Sequence, residues 1–178
     1  MIHKDTIKEV TEFLNLHLST QLRCMQLSKE LNKNGFPGFA WFYQVQSVDE
    51  FMHQRRIINY LQGSLGAEDY QLVSPVFEKF TIAHPKEALE YYIKMRQETL
   101  DLALDFKKKA VDRHDYLTGE FYTWFIKDYW TEIDENNDIL DWVKINGDIL
   151  AGLDRRMNKR AEIDPENVIH PMKIFLAD

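Results

Sequence analysis

The chain has 178 residues, 44% apolar and 29% charged, which is enough for one domain with a substantial core and argues against disorder. A net charge of −7 and a pI near 5.4 argue against nucleic acid or an anionic membrane as the main partner and favour cations. Cys24 is the one cysteine, so no intrachain disulfide forms and a reducing compartment is expected. The start, "MIHKDTIKEV", lacks the apolar core of a signal peptide. No apolar run approaches the roughly 18 residues of a membrane span, so the expected location is the cytoplasm.

Glycine and proline, with 7 and 5 copies, cluster between long periodic segments. The first predicted helix runs from about Lys4 to Asn34 and stops at "NGFPG". The second runs from about Pro37 to Gln62 and stops at "GSLGAED". Residues 66–84 carry short apolar pieces without helical period. The third helix starts at "HPKEALEYY", with Pro85 suited to the first helical position, and reaches about Arg113. The fourth covers about Leu117 to Ile145, and a short fifth, about 148–160, precedes a Pro-containing tail, 161–178. Four helices of this length each span roughly 42 Å. Short joints make the first two, and the last two, antiparallel neighbours. The segment between the pairs is too long for a turn and suits a crossover along the bundle. One long crossover separates ferritin-like bundles from up-down-up-down ones. The predicted fold is therefore all-α, a single domain over 1–178 with a four-helix bundle at about 4–146.

The inward stripes carry the chemistry. The first helix reads Ile7, Val10, Leu14, His17, Gln21, Cys24. The second reads Tyr43, Gln46, Glu50, His53, Ile57, Tyr60, beside a track of Val45, Val48, Phe51 and Met52 expected to be buried. The third reads Ala88, Tyr91, Met95, Glu98, Leu102, and the fourth Phe121, Phe125, Asp128, Glu132, Glu135, Ile139, Trp142. Each stripe is interrupted about halfway along by ionisable groups. Buried acids converging at one level repel unless protonated or neutralised by cations. Carboxylates with imidazole suit iron, manganese or zinc, and Glu50-x-x-His53 puts two ligands on one helix face. The plainer readings stand beside this one. Glu50 and His53 serve in a salt bridge, His17 is a hydrogen-bonded core histidine, Glu98 pairs with Arg96 or Lys94, and Glu132 pairs with Lys127.

The segments "FLNLHLSTQL", "DEFMHQRRIINYL", "HPKEALEYY", "FYTWFIKDYWTEI" and "GLDRRM", in this order over about residues 4–157, resemble the bacterial non-haem ferritins. The resemblance implies a closed homo-oligomeric shell, of about 24 subunits, that stores ferric mineral. It also implies a di-metal centre that oxidises Fe(II) with dioxygen or peroxide. By position, Glu50 would bridge two irons, His53 would bind the first, and Glu98 and Glu132 the second. Outer acids that often form a third iron site are kept as Asp49 and Asp128, with Thr131 in the remaining place. The chain departs from the family at His17, where glutamate is usual, at Cys24 for tyrosine and at Tyr129 for glutamine. His17 keeps a ligand role only when neutral, and it removes a negative charge from the centre. Haem-containing relatives place methionine directly after the second-helix glutamate. Phe51 stands there and Met52 lies about 100° further round, so no haem is expected. The rival readings are a non-catalytic shell subunit and a di-metal enzyme acting on an organic substrate.

Overall fold

A computed structural model describes residues 4–160, so the predicted tail at 161–178 lies outside the described residues. The helices are α1 (Lys4–Lys33), α2 (Pro37–Asn59), α3 (Pro85–Asp112), α4 (Tyr116–Asn146) and α5 (Ala151–Arg160). A π-helical turn, Tyr60–Ser64, extends α2. The boundaries follow local chemistry. Gly35, at φ 84°, reverses the chain after α1, and the Phe36 N–H donates to the Leu31 carbonyl at 3.0 Å, closing the last turn. Pro37 and Pro85 open α2 and α3, where no N–H is needed. At the start of α3 the His84 ring accepts from Lys86 N–H, while Glu87 reaches back to Ala83 N–H, a reciprocal cap. Asp115 caps α4 by accepting from Thr118 N–H at 3.2 Å.

The principal packing is α1 along α2 and α3 along α4, with α5 docked on α2. The segment between the pairs, 66–84, runs along α1 in a legible order. Asn15 holds the Gln71 carbonyl and the Val73 N–H, Gln26 reaches the Phe80 carbonyl, and Asn34 reaches that of Ile82. The crossover therefore traverses the bundle and makes α2 and α3 run parallel, as expected for a ferritin-like bundle. No helix among the described residues is long and apolar enough to cross a membrane.

The apolar core comes in two clusters. One holds Val10, Phe13, Leu14, Ile57, Leu100, Phe106, Tyr122 and Phe125. The other holds Cys24, Leu27, Leu31, Phe39, Tyr43, Leu89, Tyr92, Met95 and Ile139. A layer of buried polar groups lies between them: His17, Glu50, His53, Arg96 and Glu132. Two expectations fail here. Val48 and Phe51 are exposed rather than buried. The wall of α2 that faces the bundle is Tyr43, Ser47, Glu50, His53, Gln54 and Ile57. On α3 the inward stripe is Ala88, Leu89, Tyr92, Met95, Arg96, Thr99, Ala103 and Phe106, so Glu98 is exposed.

Candidate metal centre

Four helices each bring one or two side chains to the polar layer. His17 comes from α1, Glu50 and His53 from α2, Arg96 from α3, and Tyr129 and Glu132 from α4. Glu50 and His53 share a face because three residues advance a helix by nearly one turn. Arg96 and Glu98 are two residues apart and so lie about 200° apart on α3. Only one of them can face inward, and it is Arg96. This corrects the predicted ligand Glu98. The apolar stripe of α3 places a cation where the sequence reading expected a carboxylate.

The Arg96 guanidinium is completely buried, and it bridges two acids. Nη2 donates to Glu50 Oε1, and Nε lies against Glu132 Oε2. Nη2 also donates to the Tyr92 hydroxyl at 2.8 Å, and that hydroxyl is 2.9 Å from Gln46 Oε1. The guanidinium carbon sits 4.8 Å from the Tyr129 ring centroid and 5.2 Å from that of Tyr92, within cation–π range of both. Burial pushes the Glu50 carboxyl up, but Arg96 and then His17 outweigh it and hold the group well below the usual carboxylate range. Burial raises Glu132 well above that range, opposed by Arg96. Arg96 is held even more firmly protonated than a free guanidinium, because the two acids outweigh its burial.

His17 is fixed at both nitrogens. Nδ1 is 2.6 Å from Glu50 Oε2 and Nε2 is 2.6 Å from the Tyr129 hydroxyl. Burial lowers its pKa despite Glu50, while burial raises that of Tyr129. The consistent assignment is a neutral imidazole whose Nδ1–H donates to Glu50 and whose Nε2 accepts from Tyr129. His17 is therefore neutral, as a ligand must be, yet its free lone pair is already used. The three ligand atoms of His17, Glu50 and His53 do lie within 4.8 Å of one another. Both Glu50 oxygens nevertheless carry donors, from Arg96 and His17. The donor set for two bridged ions is thus spent internally, and the residues present do not fit a di-metal centre at Glu50. Glu50 is instead held in a buried ion pair with Arg96.

The second grouping has a different character. One ligand atom each from Asp49, His53, Asp128 and Glu132 lies within 4.8 Å of the others. His53 Nε2 faces Asp128 Oδ2 at 2.9 Å and Asp49 Oδ2 at 3.6 Å, and its Nδ1 is 3.5 Å from Glu50 Oε1. Burial lowers the His53 pKa, but Asp49, Asp128 and Glu50 outweigh it and hold the ring well above its ordinary value. In the metal-free protein this histidine is an imidazolium. Glu132 is 8% exposed, and among the described residues its Oε1 has no hydrogen-bond partner and buried Asp128 Oδ2 lacks a donor of good geometry. Two carboxylates, an imidazole and the Glu132 carboxyl, which would give up its proton to a bound ion, suit one hard or borderline divalent cation. Bound through Nε2, His53 would lose its proton there and keep Nδ1–H toward Glu50, which orients the ring.

The structure thus brings together six of the seven predicted residues: His17, Glu50, His53, Glu132, Asp49 and Asp128. It leaves out Glu98. The sequence reading missed Arg96 and Tyr92 at this layer, and gave Gln46, on the inward stripe of the second helix, no role. The available signal was the run Leu89, Tyr92, Arg96, Thr99, Ala103, Phe106, in which one long cation interrupts a stripe of apolar and small residues.

A family model described as a ferritin-like domain matches residues 7–145. The chain is 24% identical over 155 residues to a probable bacterial non-heme ferritin-like protein of Haemophilus influenzae, covering 86% of this chain and 92% of that one. It is 22% identical over 167 residues to a bacterial non-heme ferritin of Escherichia coli, covering 94% and 100%. Among solved structures, an open pore ferritin from Archaeoglobus fulgidus superposes with a TM-score of 0.83 at 17% identity, over 88% of this chain and 96% of that one.

Proposed function

This chain belongs to the ferritin-like domain family, and we infer from that membership and from the site that it sequesters iron inside a closed shell of identical subunits. Each bundle holds one ferrous ion at Asp49, His53, Asp128 and Glu132. The observation that carries this reading is the convergence of four ligand atoms within 4.8 Å, with a buried Glu132 oxygen that no donor among the described residues fills. Two relatives are themselves described as bacterial non-heme ferritins or ferritin-like, which supports iron as the cargo. Oxidation of Fe(II) by this chain then starts from a single ion rather than a bridged pair. It runs slower than at a two-ion centre, because one ferrous ion supplies dioxygen with one electron and not two. Asp49 and Asp128 are about two-thirds buried, with side-chain exposures of 33% and 31%, and they form the wet edge through which the ion enters.

The test is iron loading of the intact assembly. Purified protein is given ferrous iron under air and then sized with iron detection. Iron comigrating with a particle of many subunits supports the reading, and Asp49→Asn with Asp128→Asn should lower the initial uptake severalfold. A monomer or dimer that carries no iron would overturn it.

A further inference from the structure

We propose that Arg96 is a built-in substitute for metal, which bars the Glu50–Glu132 position to a second ion and restricts each bundle to one. A guanidinium differs from other cations at such a place because it cannot be deprotonated in a protein. A metal displaces the proton of His53 and takes its lone pair, but Arg96 offers no lone pair and keeps its charge at every working pH. An ion at Glu50 would have to expel the whole side chain. That side chain is completely buried, shared between Glu50 and Glu132, hydrogen-bonded to Tyr92 and flanked by the Tyr92 and Tyr129 rings. Its removal would take away the donor from which the Tyr92 hydroxyl accepts and open a void between the two apolar clusters. His17 closes the remaining approach, since its Nδ1–H occupies the second Glu50 oxygen and Tyr129 occupies its Nε2.

The consequence concerns where the chain stands in iron handling. Two adjacent ferrous ions passing two electrons to one dioxygen, which with two protons gives peroxide and two ferric ions, have no seat in this bundle. Ferric iron formed within the bundle comes from the single ion among Asp49, His53, Asp128 and Glu132, one electron at a time. This rests on the storage reading for the identity of the cargo, whereas the exclusion itself is read with cobalt alone.

Metal-stripped assembled protein is titrated anaerobically with Co(II), and the bound ions per chain are counted by equilibrium dialysis and visible absorption. The parent is expected to bind one cobalt per chain. Arg96→Glu, which turns the cation into a ligand, should bind two, the second disappearing when Glu50→Gln is added. Two tight cobalt ions per chain in the parent would overturn the proposal, as would an assembled Arg96→Glu that binds no more than the parent. No cobalt in the parent but one gained in Arg96→Glu would sink the single-ion site and support the exclusion. If Arg96→Glu does not assemble, Arg96→Gln carries the same comparison, because it removes the charge while keeping a polar side chain.

Discussion

Replacing Arg96 with leucine removes the guanidinium on which both Glu50 and Glu132 rest, while keeping an apolar side chain between the two core clusters. Glu50 is 0% exposed and Glu132 8%, so neither regains water when the cation is lost. Breaking a buried pair from one side costs about 3–5 kcal/mol, and the shared geometry here argues for the upper half. For a domain of this size about 1 kcal/mol moves the melting midpoint by roughly 2–4 °C, so the expected loss at pH 7 is about 8–20 °C. The pH dependence has a defined sign. In the parent, Glu50 lies below its unfolded value. Its pairing therefore contributes stability above the unfolded pKa, about 4.3, and loses it as pH falls through the folded value. In the variant, burial without Arg96 lifts the carboxyl above its unfolded value. Its cost then stands at neutral pH and is relieved as protons are added. The gap between parent and variant should narrow from pH 7 to pH 5. Adding Glu50→Gln and Glu132→Gln to the variant should recover most of the loss at pH 7. Scanning calorimetry at fixed protein concentration, in chelator, measures all of this. A variant within about 1 kcal/mol of the parent at pH 7, or a deficit unchanged at pH 5, would refute the reasoning.

Four further outcomes follow from the structure. Tyr129→Phe strands the buried His17 Nε2 and should cost about 1–3 kcal/mol by denaturant unfolding. His17→Glu alone, with Arg96 still in place, should not raise the cobalt stoichiometry above one. Gly38→Ala should release α5. A Cβ at position 38 would lie 1.7 Å from the Asp154 carbonyl oxygen, and the Asp154 carboxylate holds the Gly38 and Phe39 N–H groups at 3.0 Å each. Limited proteolysis should then cut near residue 150 in the variant and spare the parent. His53, held above its unfolded value, contributes stability that is fully present below about pH 6.5 and is lost as pH rises through the folded value. In chelator, His53→Gln should abolish that alkaline decline.

The helices were legible because their stops are chemical. Gly35 with Pro37, and Pro85 after His84, mark boundaries that packing did not move. The crossover was legible because 66–84 has no helical period and is too long for a turn. At the centre, His17, Glu50, His53 and Glu132 could be aligned because each interrupts an otherwise apolar stripe. The third helix could not be read this way. Tyr91 and Tyr92 are both aromatic, so the stripe can be drawn through Tyr91, Met95 and Glu98 or through Tyr92, Arg96 and Thr99. Hydropathy favours neither, because an arginine paid for by two buried acids looks the same in sequence as one in water. The pairing that decides it, Arg96 with Glu50 and Glu132, joins three helices and has no local signature. On α2 the error ran the other way. Val48 and Phe51 looked like core, but Glu50 and His53 had already claimed the inward face, and helical geometry turns the apolar track outward.

The claim that one internal cation has replaced the bridged ions is tested most directly by diffraction at the iron absorption edge, on crystals soaked anaerobically in ferrous iron. One anomalous peak per chain is expected within the bundle, among Asp49, His53, Asp128 and Glu132, with Arg96 still lying between Glu50 and Glu132. Two peaks bridged by Glu50, with Arg96 swung out of the layer, would contradict the claim.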